Sequence, residues 1–303
     1  MIKKLIKKLL WPPNLWRAYR VSRSAKAVSR VTEDPQLKLY DQILKTGFLH
    51  YGYFDDPAKA ADKISMDDIR KAQIRYAELI LEQIKKDPGT VLDVGCGMGG
   101  LINMLLKKGM QTVGVTPDRA QVNYISQKYP QAKIIKARFQ KMPLEDYLEY
   151  FDTVIHSESL QYMGLKKSIE NVLALLKPAG RWIVVDYFRS AEAHEKSGHY
   201  WDDFLQALDI YNLKIIHQND ITENIKPTLA YIHMWGNEIG RPLFDFLVGK
   251  LEKKHPGKHF LLNDVINSFN TKIDKNLNTV DPQIFTKDKK YVLLSIEKNP
   301  ERV

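Results

Sequence analysis

A glycine-rich turn in the middle of the chain is the clearest candidate for chemistry. It begins at Asp93, its glycines are residues 95, 97, 99 and 100, and it follows an apolar run that reads as a buried strand. The residues from Leu101 onward are typical of a helix. Glycines between a strand and a helix let a ligand approach the backbone amides at the helix N-terminus. The pattern therefore predicts a site for a nucleotide-like ligand.

The glycine spacing fits two classes of site. Gly95, Gly97 and Gly100 satisfy the G-x-G-x-x-G pattern of dinucleotide sites, whereas Asp93 with residues 95, 97 and 99 satisfies D-x-G-x-G-x-G, which is typical of S-adenosylmethionine sites. The charge of Asp93 separates the two, because a carboxylate there would repel a pyrophosphate and attract the ammonium group of S-adenosylmethionine. The sequence favours the methyl donor, and a dehydrogenase is the minor alternative.

The end of the second predicted strand supports the same choice. A dinucleotide site expects an acidic residue there to hold the ribose. The chain instead reads Gly114-Val115-Thr116-Pro117, and Asp118 lies beyond the strand.

Residues that could act as a base lie near this turn. A sulfonium donor is already activated, so the protein mainly has to align the acceptor and exclude water. A base is needed only where the acceptor loses a proton. His156 and Glu158, at the end of the fourth predicted strand, and Tyr51, before the first, are the candidate catalytic residues. No spacing of histidines or carboxylates predicts a metal site.

The surrounding elements alternate between strand-like and helix-like stretches, which predicts an α/β fold with parallel strands joined by crossover helices. Seven strands in one sheet make one domain. The predicted strands are Thr90–Gly95, Gln111–Thr116, Ala132–Ala137, Phe151–Ser157, Gly180–Phe188, Leu213–Gln218 and Lys290–Glu297. A single cysteine, Cys96, excludes an internal disulfide.

The stretch between the last two predicted strands is too long and too apolar for a loop. We expect residues 222–286 to form an inserted helical cap over the carboxyl edge of the sheet. Such insertions usually line a substrate pocket.

Basic residues are concentrated at the N-terminus. Residues 1–32 contain nine lysines and arginines and no acid, whereas the rest of the chain has 37 basic and 36 acidic residues. Ile2, Leu5 and Leu9 share one face of a predicted amphipathic helix whose other face carries lysines. We expect residues 1–20 to contact an anionic membrane surface, so that the protein is cytoplasmic and peripheral on the inner face of a membrane. No apolar run is long enough to cross a bilayer.

Several stretches resemble the class I S-adenosylmethionine-dependent methyltransferases. They are His50–Phe54, the glycine turn, Gly114–Gln121 and Phe151–Glu158. The chain is most similar to the branch that holds cyclopropane fatty-acid synthases, sterol C-methyltransferases and tocopherol-type methyltransferases, and Asp220–Pro227 resembles a stretch of the last. The resemblance implies a Rossmann-like sheet of seven strands with helices on both faces and an antiparallel last strand, in a methyltransferase domain over residues 33–303.

The resemblance also implies a site for S-adenosylmethionine. Gly95 and Gly97 would pass under the methionine part of the cofactor, and Asp93 would face its amino group. Thr116 and Gln121 stand in place of the usual ribose-binding acid. The residues expected to bind the cofactor are Tyr51, Asp93, Gly95, Cys96, Gly97, Thr116, Gln121, Phe139, Gln140 and His156.

The expected function is methyl transfer to a hydrophobic small molecule or lipid at a membrane surface. Cyclopropanation is not expected, because the Glu-His pair that those synthases use after the fourth strand reads Gln161-Tyr162 here. One alternative is methylation of RNA or another nucleic acid, which draws only on the charge of the N-terminal residues. Another is an inactive module of the same fold that binds membranes.

Overall fold

The structure is a computed structural model that describes residues 34–84, 89–190, 193 and 197–299, together with the isolated positions 13, 16, 17, 19 and 20. The amphipathic helix predicted over the first ten residues lies outside the described residues. Trp16 and Tyr19 are helical and exposed, and the guanidinium of Arg20 lies 3.5 Å from the centre of the Trp16 ring.

Eight strands form one sheet. They are β1 Thr90–Val94, β2 Gln111–Thr116, β3 Lys133–Lys136, β4 Phe151–Ser157, β5 Leu176–Arg189, β6 His199–Tyr200, β7 Leu213–Asp220 and β8 Lys289–Lys298. The strand order is β3-β2-β1-β4-β5-β8-β7, and the two-residue β6 pairs with β5. Only β8 runs antiparallel to its neighbours β5 and β7. The seven predicted strands and the antiparallel last strand are confirmed, and β6 is an addition.

One boundary differs by several residues. The sequence predicts a turn over residues 177–180 before the fifth strand, but β5 already begins at Leu176. Leu176 pairs with Phe151, and the register shifts between Phe151 and Thr153, so the extra residues are taken up as an irregularity in the ladder.

In residues 34–299, as far as the structure describes them, ten α-helices connect or flank the strands. They are α1 Pro35–Ile43, α2 Met66–Glu82, α3 Gly100–Lys107, α4 Arg119–Lys128, α5 Leu165–Leu175, α6 Trp201–Ile210, α7 Thr222–Trp235, α8 Arg241–Lys254, α9 Pro256–Thr279 and α10 Pro282–Asp288. A π-helical turn at Gly236–Gly240 joins α7 to α8, and short 3-10 turns lie at Ala61–Lys63, Phe139–Lys141 and Leu160–Tyr162. None of the helices that the structure describes has the length and hydropathy of a transmembrane span.

The core has two layers, one on each face of the sheet. Side chains alternate along a strand, so Val154 of β4 faces one layer and Ile155 the other. The first layer includes Trp182 of β5 and Phe204 of α6. The second includes Tyr76 of α2 and extends to residues of α7 and α10. The alternation therefore decides which β4 residues reach which layer.

The region expected to form a cap is helical from Thr222 to Asp288. Helix α7 packs on the segment before α2: the Thr228 hydroxyl donates to the Gly52 carbonyl at 3.1 Å, and the Asn224 amide donates to the Phe54 carbonyl at 2.8 Å. Helices α8 and α9, in contrast, contain no buried residue. Helix α7 therefore packs into the fold, whereas α8 and α9 lie at its surface.

Candidate active site

A cavity of about 450 Å³ lies at the carboxyl ends of β1, β2 and β4. Asp93, Thr116 and Ser157 reach it from these three strands, and residues 47–50 reach it from the segment before α2. In open α/β sheets this edge is where ligands bind, because the loops that follow the parallel strands meet there. The cavity is therefore the candidate active site.

The glycine turn forms one wall of the cavity in a conformation that suits glycine. Gly95, Gly97 and Gly99 have φ angles of +76°, +53° and +79°. A Cβ placed on Gly95 would lie 2.6 Å from the Ser159 Cβ, whereas the nearest atom to a Cβ on Gly97 is Leu49 Cδ1 at 3.6 Å. A side chain at Gly97 would therefore occupy space that the protein leaves for a ligand.

The carboxyl group of Asp93 lies in this cavity without a partner. Its side chain is 3% exposed, and no described residue forms a hydrogen bond or ion pair with it. Burial raises the pKa of Asp93 to about 7. A buried carboxyl without a partner is costly to the free protein, and a bound ammonium group would remove that cost.

Polar groups at the end of β2 face the same space. The Thr116 hydroxyl donates to the Gln121 side-chain carbonyl at 2.7 Å and accepts from the Asp118 backbone N–H at 3.2 Å. Asp118 also caps α4 by accepting from the Ala120 N–H at 2.7 Å. Because its carbonyl is used internally, Gln121 keeps its amide N–H groups for a ligand.

Glu158 is the centre of a hydrogen-bond network at the opposite wall. It follows β4 with a φ of +48°, a strained conformation for a residue with a side chain. Its carboxylate accepts from the Tyr51 backbone N–H at 3.0 Å and from the Tyr291 hydroxyl. Tyr291 in turn lies 3.0 Å from the Tyr76 hydroxyl, to which Ser157 donates at 3.3 Å.

Burial raises the pKa of Glu158 to about 7, although the two hydrogen bonds it accepts oppose the shift. Burial also raises the pKa of Tyr76 and of Tyr291 well above the ordinary range, so both phenols remain donors. Glu158 can therefore exchange a proton near neutral pH while its orientation is held.

A second buried carboxyl, Asp186, lies behind this wall. It accepts from the backbone N–H groups of Gln161 at 3.1 Å and Tyr187 at 2.9 Å. Burial, with a smaller contribution from Glu158, raises the pKa of Asp186 to about 8. Asp186 does not line the cavity, so its role is to hold the backbone after Glu158.

In the described part of the chain, no three His, Cys or carboxylate side chains come together as metal ligands.

The structure brings seven of the expected site residues to the cavity. They are Asp93, Gly95, Cys96, Gly97, Thr116, Gln121 and Glu158. The thiol of Cys96 is buried, and burial raises its pKa, so it lines the cavity as an uncharged group.

His156 is not among them, although the sequence suggested it for both catalysis and cofactor binding. It is 0% exposed and lies on the Val154 side of β4, where its Nδ1 accepts from the Trp182 indole N–H at 3.0 Å. Burial lowers the pKa of His156 to about 3, so it stays neutral. The alternation along β4 turns it into the core, whereas its neighbour Ser157 lines the cavity.

Three other expected residues do not line the cavity either. Phe139 is buried against His156, with 5.1 Å between the ring centres, and Gln140 is half-buried beside it. The Tyr51 ring packs on Phe285 and Tyr291, while its backbone N–H binds Glu158. Tyr51 therefore contributes through its backbone to the orientation of the candidate base.

Several cavity residues were not expected from the sequence. Phe48, Leu49 and Met163 supply apolar walls. His50 also lines the cavity, stacks on Tyr76 at 4.0 Å and bonds through Nδ1 to the Tyr51 carbonyl at 2.7 Å. Burial lowers the pKa of His50 to about 4. The only sequence feature that pointed to His50 was its position in the stretch 50–54, which resembles the methyltransferases.

Comparisons with known proteins agree with this geometry. A family model described as a methyltransferase domain matches residues 92–184. The chloroplastic tocopherol O-methyltransferase of Arabidopsis thaliana is 28% identical over 215 residues, which cover 59% of this chain and 61% of the relative. A sterol 4-C-methyltransferase of Caenorhabditis elegans is 33% identical over 124 residues, 36% of each chain. The chain thus spans less than two thirds of the length of these relatives.

A solved structure extends the likeness to most of the chain. Geranyl diphosphate C-methyltransferase from Streptomyces coelicolor A3(2), in a complex with S-adenosyl-L-homocysteine, superposes with a TM-score of 0.62 and 16% identity, over 89% of this chain and 94% of that one. At this identity the likeness concerns the fold alone. The matched methyltransferase domain over residues 92–184 and this shared fold are similar to those of the class I S-adenosylmethionine-dependent methyltransferases.

Proposed function

We propose that the protein transfers a methyl group from S-adenosylmethionine to a hydrophobic small molecule or lipid. The observation that carries the proposal is the buried, unpartnered carboxyl of Asp93 beside the positive-φ glycine turn. This combination fits a ligand that brings an ammonium group and needs close approach to the backbone.

The residues present fit the cofactor at two further points. Thr116 and Gln121 offer hydrogen-bonding groups at the end of β2, and the space over Gly97 is free of side chains. The cofactor supplies, when bound, an electrophilic methyl carbon on a sulfonium. The apolar side chains that line the cavity would exclude water from the acceptor.

Glu158 is the proposed base. An acceptor O–H or N–H in the cavity would give its proton to the Glu158 carboxylate, which would become a carboxylic acid. The Tyr51 N–H and the Tyr291 hydroxyl hold this carboxylate from the other side. An acceptor that is already nucleophilic would not need the step, so the effect of Glu158 depends on which atom is methylated.

The apolar lining and the relatives favour a hydrophobic acceptor. Phe48, Leu49, Leu101 and Met163 surround the polar groups of the cavity. The relatives are named for tocopherol and sterol.

We also place this activity at an anionic membrane surface. Nine basic residues and no acid occur in residues 1–32, and the exposed Trp16 and Tyr19 are types that favour the membrane interface. A polybasic segment gains about 1 kcal/mol per lysine or arginine near an anionic surface.

A labelled-methyl assay tests the proposed activity. Full-length protein is incubated with S-adenosylmethionine labelled in the methyl group and with extracted membrane lipids, and the organic phase is analysed for label. We expect label in a hydrophobic product with the wild-type protein, and much less with Asp93→Asn, at a cofactor concentration near the wild-type Kd. Absence of cofactor binding by wild-type protein in calorimetry would refute the proposal.

Truncation tests the membrane part separately. Removing residues 1–16 should lower the affinity for anionic vesicles, most strongly at low salt, because the attraction is screened over about 10 Å at 0.1 M salt. The affinity for S-adenosylmethionine should not change, because the cavity begins at residue 47. Equal vesicle binding by the two proteins would contradict a role for these residues.

A further inference from the structure

The hairpin formed by α8 and α9 leaves apolar side chains in contact with solvent. Neither helix contains a buried residue, and the two pack mainly on each other and on the π-helical turn at Gly236–Gly240. None of their residues lines the cavity. The hairpin therefore extends from the methyltransferase domain and does not close the site.

The exposed side chains of the hairpin are large. They are Leu243, Phe246, Leu247, Phe260, Leu261, Leu262, Val265 and Phe269. Leu261, Val265 and Phe269 recur every four residues and so share one face of α9. Phe260 and Leu261 are 80% and 74% exposed, close to the connection at His255. Large apolar side chains exposed in this number on two adjacent helices indicate an interaction site.

The connection between the two helices is strongly basic. Residues 250–262 contain Lys250, Lys253, Lys254 and Lys258 and one acid, Glu252. These lysines form no ion pair with any residue that the structure describes, whereas Arg241 at the other end of the hairpin is paired with Asp245 and Asp274. Positive charge and the most exposed apolar side chains thus lie together at one end.

We propose that this end of the hairpin, residues 250–262, inserts into the headgroup layer of an anionic membrane. Phe260 and Leu261 enter the apolar boundary, and the lysines contact lipid phosphates, as in other interfacial elements. Two copies of the chain meeting at this surface would bring eight lysines together, and their repulsion opposes that occupant. The inference rests on the proposed function, because the hairpin would bring the enzyme to an acceptor that is dissolved in the membrane. It would be a second membrane contact beside the N-terminal residues.

The test uses protein that lacks residues 1–32, so that the whole basic N-terminal segment is absent and the hairpin is the remaining proposed contact; its affinity for S-adenosylmethionine, compared with that of the full chain, checks that it is folded. This protein should still bind vesicles that contain phosphatidylglycerol and should not bind vesicles of phosphatidylcholine alone. Phe260→Ser with Leu261→Ser should weaken the binding about tenfold or more, because two apolar side chains no longer leave water. Replacing Lys253, Lys254 and Lys258 by glutamate should abolish it.

Matched controls separate the hairpin from general surface effects. Leu148→Ser with Ile210→Ser removes two exposed apolar side chains elsewhere and should leave vesicle binding unchanged. Replacing the exposed Lys107, Lys108 and Lys214 by glutamate changes the net charge by the same amount as the three hairpin substitutions. It should weaken binding only slightly. If the control sets weakened binding as much as the hairpin sets, the inference would be wrong.

Insertion itself can be measured with a fluorescent label. Leu261→Cys labelled with an environment-sensitive dye should brighten at least about twofold when anionic vesicles are added, and Ile210→Cys should not. The native thiol of Cys96 is buried, and labelled wild-type protein is the blank. A rise that follows protein concentration without vesicles would instead indicate a second copy as the occupant.

The outcomes distinguish this inference from the proposed function. Calorimetry with S-adenosylmethionine and the labelled-methyl assay are run on the same variants. Cofactor binding and methyl transfer with no vesicle binding would overturn the hairpin inference alone. Vesicle binding by a protein that does not bind S-adenosylmethionine would overturn the proposed function and leave the membrane contact.

Discussion

Asp93 and Glu158 are acidic residues in one cavity, and burial raises the pKa of each to about 7. Their surroundings differ. Asp93 has no partner in the described structure, whereas Glu158 accepts from Tyr51 and Tyr291. An unpartnered carboxyl suits the binding of a cation, and one held by donors suits repeated proton transfer. The same rise in pKa therefore supports cation binding by Asp93 and proton transfer by Glu158.

We expect Asp93→Asn to weaken S-adenosylmethionine binding about 10- to 100-fold at pH 7.5, the value of a charge-assisted hydrogen bond. Because the ammonium group requires the ionised carboxylate, wild-type affinity should fall by up to about tenfold per pH unit below the pKa of about 7. Calorimetry between about pH 5 and pH 7 measures this slope. The variant should lose the slope, and a slope that persisted would assign the titration to another group.

Glu158→Gln should lower kcat about 10²- to 10⁴-fold if the acceptor loses a proton, with cofactor affinity retained. In the wild type, kcat should rise with pH through about 7, because only the ionised carboxylate accepts a proton. Tyr291→Phe keeps Glu158 but removes one of its donors, so it should raise the pH at which kcat reaches half its maximum. Unchanged kcat in Glu158→Gln would mean that the acceptor needs no base.

At the scale of elements, the strand-turn-helix unit of β1 and α3 forms one wall of the candidate active site, and α2 and α7 hold the segment that contains Gly52. Gly52 N–H donates to the Thr228 hydroxyl at 3.1 Å, and the Gln73 amide of α2 donates to the His50 carbonyl at 2.8 Å. The segment therefore lies between two helices, and its Tyr51 N–H is presented to Glu158. Helix α7 contributes to the site without touching the cavity.

Gly97→Val should abolish S-adenosylmethionine binding while the protein remains folded. The protein leaves space for a side chain there, but that space faces the cavity. Gly109→Val is a matched control, because Gly109 also has a positive φ, +76°, and a Cβ placed on it would have no atom within 4 Å. Both variants carry the same kind of backbone strain, and only Gly97→Val should lose binding in calorimetry. Equal affinities would contradict the site.

At the scale of the whole molecule, the cavity lowers the stability of the free protein at neutral pH. Asp93, Glu158 and Asp186 have pKa values of about 7, 7 and 8 in the folded state, and ordinary values near 4 in the unfolded state. Between those values the folded state binds more protons. Stability from these groups is therefore present at low pH and is lost as pH rises toward 8.

We expect the free energy of unfolding, measured with urea without cofactor, to fall as pH rises from about 5 to about 7, by at most about 1.4 kcal/mol per pH unit for each group. Asp93→Asn should remove part of this slope and be more stable than the wild type at pH 8. A given concentration of S-adenosylmethionine should stabilise the variant less than the wild type. The difference in slope between the two proteins isolates Asp93, because His50 and His156, whose pKa values are lowered by burial, contribute with the opposite sign to both. Equal slopes would contradict the raised pKa of Asp93.

Local sequence determined the parts of the site that lie on one strand-turn-helix unit. The glycine spacing predicts the turn because its positive φ angles suit glycine, and Thr116 and Gln121, which form a hydrogen bond, are only five residues apart. The strand pattern likewise predicted the seven main strands, because alternation and turn residues are local signals.

Only the tertiary structure decided what depends on contacts between distant residues. Tyr291 reaches Glu158 across 133 positions and Tyr76 across 215, because β8 inserts between β5 and β7. The layers that cover the two faces of β4 determine whether His156 or Ser157 faces the cavity. His156 packs against Trp182 in one of these layers, and Ser157 faces the cavity. The hairpin was predicted to be helical, but its exposure follows from the lack of any element packed over α8 and α9 in the described structure. Periodicity predicts a helix, whereas burial requires a partner surface.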